Sequence, residues 1–434
     1  MPRFQPPRGT RDFYPAEMAW RNYLLDTWRR VSTRNGFDQV DGPIYESLDL
    51  YKVKSGEGIV SELFHFEDRG GRELALRPEF TPTLARMVAE RAHALPRPIK
   101  WFCLPNLCRA ERPQRGRVRE HWQWNIDLIG LEGRGAAVAE AEVIAAAVDF
   151  FQEVGLGPQH VRVKLSHREV VQRVLGRLGV AEDKMLDAFA LLDRRDKIPA
   201  DTFARCAIEL GLDEPRVERF EQMSRRKYPA GDLDHLRRSV GLDKPLDDLA
   251  MLDDQLQAFG VGPWCEYDLG IVRGLAYYTG TVFEMHEATG VERAIAGGGR
   301  YDQLIELFGG PSLPAVGFGM GDVVITNVLA DKGLVPKDVS PRPDVFVIAI
   351  TDLATSRLPE VVSTLRQKGV HTRFSYKTTQ NLGKLVKEAS VARARFALIL
   401  DDQIMSDTGG LKDLESGQQD LCKLAEVASR LTGE

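Results

Sequence analysis

The pattern of apolar and polar positions is most regular from Trp122 to Leu128, where Trp122, Trp124, Ile126 and Leu128 alternate with Gln123, Asn125 and Asp127. A period of two puts these sets on opposite faces of a strand. Upstream, a second strand-like run reaches Arg109 and Glu111, which share a face, and Pro113 and Gly116 interrupt it. The stretch from Phe102 to Gly130 therefore predicts an antiparallel hairpin with a cationic tip. Near the start, Trp20, Tyr23, Leu24, Thr27, Trp28 and Val31 recur at helical spacing, which predicts a helix opened by Pro15 and ended by Gly36. A strand into Gly42-Pro43 follows. Short strands at Leu63–Phe66 and Leu74–Leu76 flank a turn at Asp68–Gly71, and a helix from Thr83 toward Ala94 takes its cap from the hydroxyl of Thr81 or Thr83. The Ala- and Glu-rich run 133–151 reads as helix and Val161–Leu165 as strand. From His167 to Leu256 every segment reads as helix, the pattern of an inserted helical domain.

Beyond it, Leu269, Ile271 and Arg273 occupy alternating strand positions, Gly274 breaks the run, and a strand resumes at Thr281. Two further segments, Ala294–Asp302 and Ala315–Gly321, each read as a strand running into glycines before a helix. We read both as places where the backbone approaches a nucleotide closely. After Pro341-Arg342-Pro343, strands at Val345–Ile350, His371–Phe374 and Phe396–Leu400 alternate with helices at Leu358–Gln367 and Leu382–Ala389, the pattern of a small α/β domain.

Composition changes this picture in few places. A chain of 434 residues, 43% hydrophobic and 28% charged, should hold two or three globular domains. With 58 basic against 63 acidic residues the net charge is -5, which excludes a generic polyanion coat and restricts any RNA contact to local basic patches. Arg194, Arg195 and Lys197, and Arg225, Arg226 and Lys227, form two such clusters. The five cysteines are too scattered for a disulfide framework and Cys103 and Cys108 lack metal-site partners, so all five are expected as thiols. No run of 18 apolar residues and no apolar leader occurs, so neither membrane spanning nor secretion is expected, and a cytoplasmic location is.

Two clusters carry chemistry. Arg109, Arg112, Arg115, Arg117 and Arg119 fall within eleven residues, and planar bidentate donors at that density suit phosphate. Asp127, embedded in a strand backed by tryptophans and aliphatic residues, costs free energy unless something pairs with it.

The hairpin resembles motif 2 of the class II aminoacyl-tRNA synthetases, and its tip, ERPQRGR from Glu111 to Arg117, is similar to the form in histidyl-tRNA synthetases. The string IVRGLAYYTGTVFE, Ile271 to Glu284, resembles that family's histidine-specific motif LVRGLDYYTGTVFE and departs from it at Ile271 and Ala276. The first helix and strand resemble motif 1, which in the family forms a dimer interface. Ala315–Gly321 resembles motif 3, except that Val324 stands where the family has an arginine stacked on the ATP adenine. The runs NLGKLVKEA and ARFALIL resemble the anticodon-binding domain of class IIa enzymes.

This resemblance implies an α+β fold: an antiparallel-sheet catalytic domain over 1–166 and 257–335, a helical insertion over 167–256, and an α/β anticodon-binding domain over 341–434. It implies ATP-dependent attachment of L-histidine to tRNA(His) through a histidyl-adenylate, by a homodimer using ATP and Mg²⁺. By the same resemblance Glu79 and Thr81 hold the α-amino group, Gln123 and Tyr277 help hold the amino acid, and Asp127 with Tyr278 reads the imidazole. Arg109 and Arg273 are the catalytic cations and bind ATP together with Glu111 and Arg117, while Arg112 and Gln114 meet the tRNA acceptor end. No metal ligand is assigned. Val324 keeps open a synthetase-like regulatory or uncharged-tRNA-sensing protein without activation chemistry.

Overall fold

A computed structural model of the chain describes residues 4–195, 197–240, 245–272, 278–290 and 292–432. It separates into two compact units, Met1–Lys337 and Asp338–Glu434. The first opens with helix α1 (Pro15–Arg34), which starts at a proline and buries Leu24, Thr27, Trp28 and Val31, the stripe the spacing indicates. Strand β1 (Asp38–Gln39) follows, then a small sheet made by β2 (Tyr45–Ser47), β3 (His65–Glu67) and β4 (Glu73–Leu76), with helix α2 (Leu48–Ser55) between β2 and β3. Helix α3 (Thr81–Arg91) begins two residues before the expected start. Its N-cap is Phe80 with no side-chain cap, because Pro82 in the first turn needs no hydrogen-bond acceptor and lets Thr81 turn helical.

The hairpin forms as the alternation requires. Its incoming strand is broken at Leu104-Pro105 into β5 (Ile99–Cys103) and β6 (Asn106–Cys108), and both pair antiparallel with β7 (Glu120–Ile129). Gly116, at φ +71°, closes the tip, where Gln114 and Arg117 exchange backbone hydrogen bonds. Trp124, Ile126 and Leu128 enter the main apolar core beneath helix α4 (Arg134–Glu153).

Strand β8 (Val161–His167) leads into helices α5 (Arg168–Leu178), α6 (Met185–Arg194), α7 (Ala200–Glu209) and α8 (Glu214–Arg225). The stretch is not purely helical: β9 (Lys227–Pro229) intervenes before α9 (Leu233–Val240) and α10 (Pro245–Ala258). Its Tyr228 is buried and pairs with Tyr267 of β10 (Cys265–Asp268), so sheet pairing overrides the local preference. Strand β10 also lies earlier than the alternation at Leu269–Arg273 suggests. Asp268, fully buried, accepts the Gly270 N–H at 3.0 Å and is gripped by Arg195 at 3.1 and 3.2 Å, and this turns the chain out of the sheet.

The unit is completed by β11 (Thr281–Glu287), β12 (Ala296–Arg300), α11 (Leu304–Leu307), β13 (Ala315–Gly321) and α12 (Asp322–Asp331). Among the described residues the large sheet has ten strands, in the order β1-β5-β7-β13-β12-β11-β8-β10-β9 with β6 on β7. Its centre, from β5 to β8, is antiparallel throughout. The second unit contains β14 (Val345–Ala349), α13 (Asp352–Gln367), β15 (Thr372–Phe374), α14 (Leu382–Val391), β16 (Phe396–Leu400), β17 (Thr408–Asp413), β18 (Gln419–Lys423) and α15 (Leu424–Thr432). Strands β15, β14 and β16 are parallel, and β17 and β18 extend the sheet antiparallel. Helix α13 starts six residues before the expected Leu358, because the Thr351 hydroxyl caps the Ala354 N–H and Pro359 is tolerated inside it. The five cysteines are free thiols, and no described helix is long and apolar enough to cross a membrane.

Candidate active site

The polar face of β7 forms one wall of a cavity of about 760 Å³. His121, Gln123, Asn125 and Asp127 all line it, as a period of two demands of residues on one strand. Their neighbours across the sheet are the glycines of β13. A Cβ on Gly317 would lie 2.1 Å from the Asp127 carboxylate, and one on Gly319 would lie 2.8 Å from the Gln123 carboxamide. These glycines themselves line the cavity, as does Gly297 of β12. They lie within strands, and the room they leave is taken by the site's own side chains. In β12, Gly299 likewise makes way for the Tyr278 ring, whose Cδ1 would be 2.9 Å from an added Cβ.

Asp127 is buried, and burial pushes its carboxyl up to about 7, opposed only by the hydrogen bond that the Tyr301 hydroxyl donates to it. Tyr278 and Tyr301 pack in one apolar cluster with Phe80, Leu84 and Ile305. Their segments are stitched together: the Thr279 N–H donates to the Arg300 carbonyl at 2.8 Å, and the Asp302 N–H donates to the Thr279 hydroxyl at 3.2 Å. Arg300 is held in turn by Asp302 at 2.8 Å and by buried Glu140 at 3.5 Å. Tyr301 was not foreseen, since nothing in the run GGGRYD points to Asp127 until β12 and β13 bring the two together. His121 also joins the polar row; burial, then Arg109 and Arg11, lower its imidazole to about 3, so it is neutral.

A buried carboxyl with a raised pKa has a stability consequence. Folding binds a proton here that the unfolded chain releases near 3.8, so stability declines as pH rises from about 4 to 7 and is level above that. Asp127→Asn should remove this dependence and raise unfolding stability at pH 8 by up to about 4 kcal/mol, with no gain at pH 3. Chemical denaturation at the two pH values measures it, and equal effects at both would contradict the assignment.

The other expected site residues divide clearly. Glu79, Thr81, Arg109, Arg117 and Tyr278 line the same cavity as Gln123 and Asp127. Arg273 and Tyr277 lie outside the described residues. The Glu79 carboxylate carries buried Lys54 on Oε2, and among the described residues its second oxygen is left for another cation. Arg109 is oriented by donating from Nε to the Pro78 carbonyl at 2.9 Å. Glu111 is ion-paired with Arg117, whose guanidinium pKa is lowered by burial and by the like charges of Arg293 and Arg109. Arg112 and Gln114 are exposed at the hairpin tip and are not among the residues that line the cavity.

The residues 9–321 match the family model described as histidyl-tRNA synthetase, and 344–434 match the anticodon binding domain. The chain belongs to the histidyl-tRNA synthetase family. Among curated members, it is 40% identical over 419 residues to the histidine--tRNA ligase of Opitutus terrae, spanning 95% of this chain and 94% of that one. It is 37% identical over 423 residues to the chloroplastic/mitochondrial histidine--tRNA ligase of Arabidopsis thaliana, spanning 97% of this chain and 85% of the relative. The crystal structure of histidyl-tRNA synthetase from Nostoc sp. PCC 7120 superposes with a TM-score of 0.83 at 25% identity, covering 100% of both chains. These matches agree with the mixed architecture of a large antiparallel-rich sheet followed by an anticodon-binding domain. For this histidyl-tRNA synthetase family member, the departure at motif 3 is structural: Val324, at the start of α12, is buried and packs into the main core.

Proposed function

We infer that the chain charges tRNA(His) with L-histidine at the cost of ATP, working as a cytoplasmic homodimer. The observation that carries this reading is one cavity that joins a buried carboxylate flanked by tyrosines to a wall of arginines. A neutral imidazole has one donor and one acceptor nitrogen. Asp127 accepts from the first and the Tyr278 hydroxyl donates to the second, while Tyr301 keeps Asp127 oriented. The second oxygen of Glu79, with the Thr81 hydroxyl, holds the α-ammonium, and Gln123 steadies the amino acid.

The histidine carboxylate then attacks the α-phosphorus of ATP, the bond to the bridging oxygen breaks, and pyrophosphate leaves. Negative charge grows on the phosphoryl oxygens, and preorganised guanidinium groups oppose it without reorganising. Arg109, fixed by Pro78, sits on that wall, and Arg273 is assigned to the same task. Arg117, oriented by Glu111, meets the distal phosphates. In the second step a ribose hydroxyl of the tRNA terminus takes the histidyl group from AMP, with Arg112 and Gln114 at the acceptor end.

Among the described residues no cluster of three or more His, Cys, Asp or Glu could hold a metal. Glu111, paired with Arg117, is the carboxylate among the residues assigned to ATP, and a single such donor fits a Mg²⁺ that arrives on ATP and keeps phosphate and water ligands. Bound there, the ion would supply charge neutralisation on the leaving pyrophosphate. The test is aminoacylation with labelled histidine. ATP-dependent charging of tRNA(His) is the expected result, and tRNA binding without charging or ATP consumption would favour a sensing protein and overturn the reading.

A further inference from the structure

We propose that Arg293 covers the adenine of ATP, the role left open by Val324; this rests on the reading of the cavity as an ATP site. Three observations converge on Arg293. It lines the cavity together with Val323, Val324, Gly116 and Arg117. A Cβ on Gly116 would lie 3.4 Å from Val324 Cγ2 and 3.6 Å from Arg293 Cδ, so the two side chains flank the same point of the hairpin tip. Arg293 also acts electrostatically on Arg117, since its charge is the largest contribution after burial in lowering that guanidinium.

The neighbours of Arg293 explain how an exposed side chain is placed there. Glu292, immediately before it, is buried and ion-paired with Arg115 on the hairpin tip, and Arg115 also reaches Asp331 of α12 at 3.5 Å. The segment carrying Arg293 is thus fastened to the hairpin that carries the phosphate-binding arginines. The acidic partner next door is already engaged, and among the described residues Arg293 makes no ion pair of its own. A guanidinium so placed has a planar face for a purine, and the valine pair supplies an apolar surface on which the base can rest. The arginine of motif 3 projects from the start of the helix after the last glycine strand. Here that position is filled by core-packing Val324, and the cation comes from the segment before β12.

The experiment is histidine-dependent exchange of pyrophosphate into ATP with the full chain, titrating ATP and histidine separately. Wild-type exchange must be seen first; its absence would fail the ATP-site reading and not this inference alone. Given exchange, Arg293→Ala should raise KM for ATP about 10- to 100-fold, the scale of a stacked cation in a partly desolvated site, and leave KM for histidine within twofold. Inhibition by adenosine, which has no phosphate, should weaken in parallel. Arg293→Lys should restore little, because a lysine lacks the planar face. An unchanged KM for ATP in Arg293→Ala, or weakened inhibition by pyrophosphate with adenosine inhibition intact, would overturn the adenine assignment.

Discussion

Asp127→Asn should lower kcat/KM for histidine in pyrophosphate exchange by about 10²- to 10³-fold while leaving KM for ATP unchanged. The substitution keeps the shape but removes the charge and offers a donor where the ring N–H also donates; a lost charge-assisted hydrogen bond is worth about 1.5–3 kcal/mol, and the mismatch adds to it. The pH dependence sharpens the prediction. The ionised carboxylate is the stronger acceptor for the ring N–H, so activity on free enzyme should rise toward a plateau above about 7. The Tyr301 hydrogen bond opposes the upward shift, so Tyr301→Phe should move that limb to higher pH. A limb that stays in place would mean that Tyr301 does not act through Asp127.

Arg109→Ala should lower kcat of the exchange by about 10²- to 10³-fold, the loss typical of removing one preorganised donor from a developing oxyanion. Arg109→Lys should rescue little, since the interaction needs a planar fork whose Nε is already committed to the Pro78 carbonyl. Binding of tRNA(His), measured by filter retention, should change less than twofold in both variants. Parallel loss of tRNA affinity and exchange would instead mark Arg109 as an RNA contact.

These predictions rest on features the sequence made legible to different degrees. The hairpin and the polar row from Gln123 to Asp127 were readable because a period of two leaves no choice of face once Trp124 and Ile126 enter the core. Seven of the expected site residues meet in one cavity because the resemblance named them and the sheet order brings β7 beside β13. The side-chain neighbours of the glycine runs were out of reach because a glycine gives no periodic signal; only register shows that Gly317 faces Asp127 and Gly319 faces Gln123. Strand β10 ended early because the buried pairing of Asp268 with Arg195, from 73 residues earlier, outweighs the local alternation. Tyr301 and Arg293 were out of reach for the same reason. Their partners are set by tertiary pairing, and their own neighbourhoods in sequence are ordinary.

The most direct test of the pocket is activation of histidine against thienylalanine, a side chain of similar size whose five-membered ring has no nitrogen. A site whose Asp127 loses the donor those nitrogens supply should discriminate by about 10⁴-fold or more in kcat/KM for pyrophosphate exchange. Comparable exchange with the two amino acids would show that ring nitrogens are not what the cavity recognises.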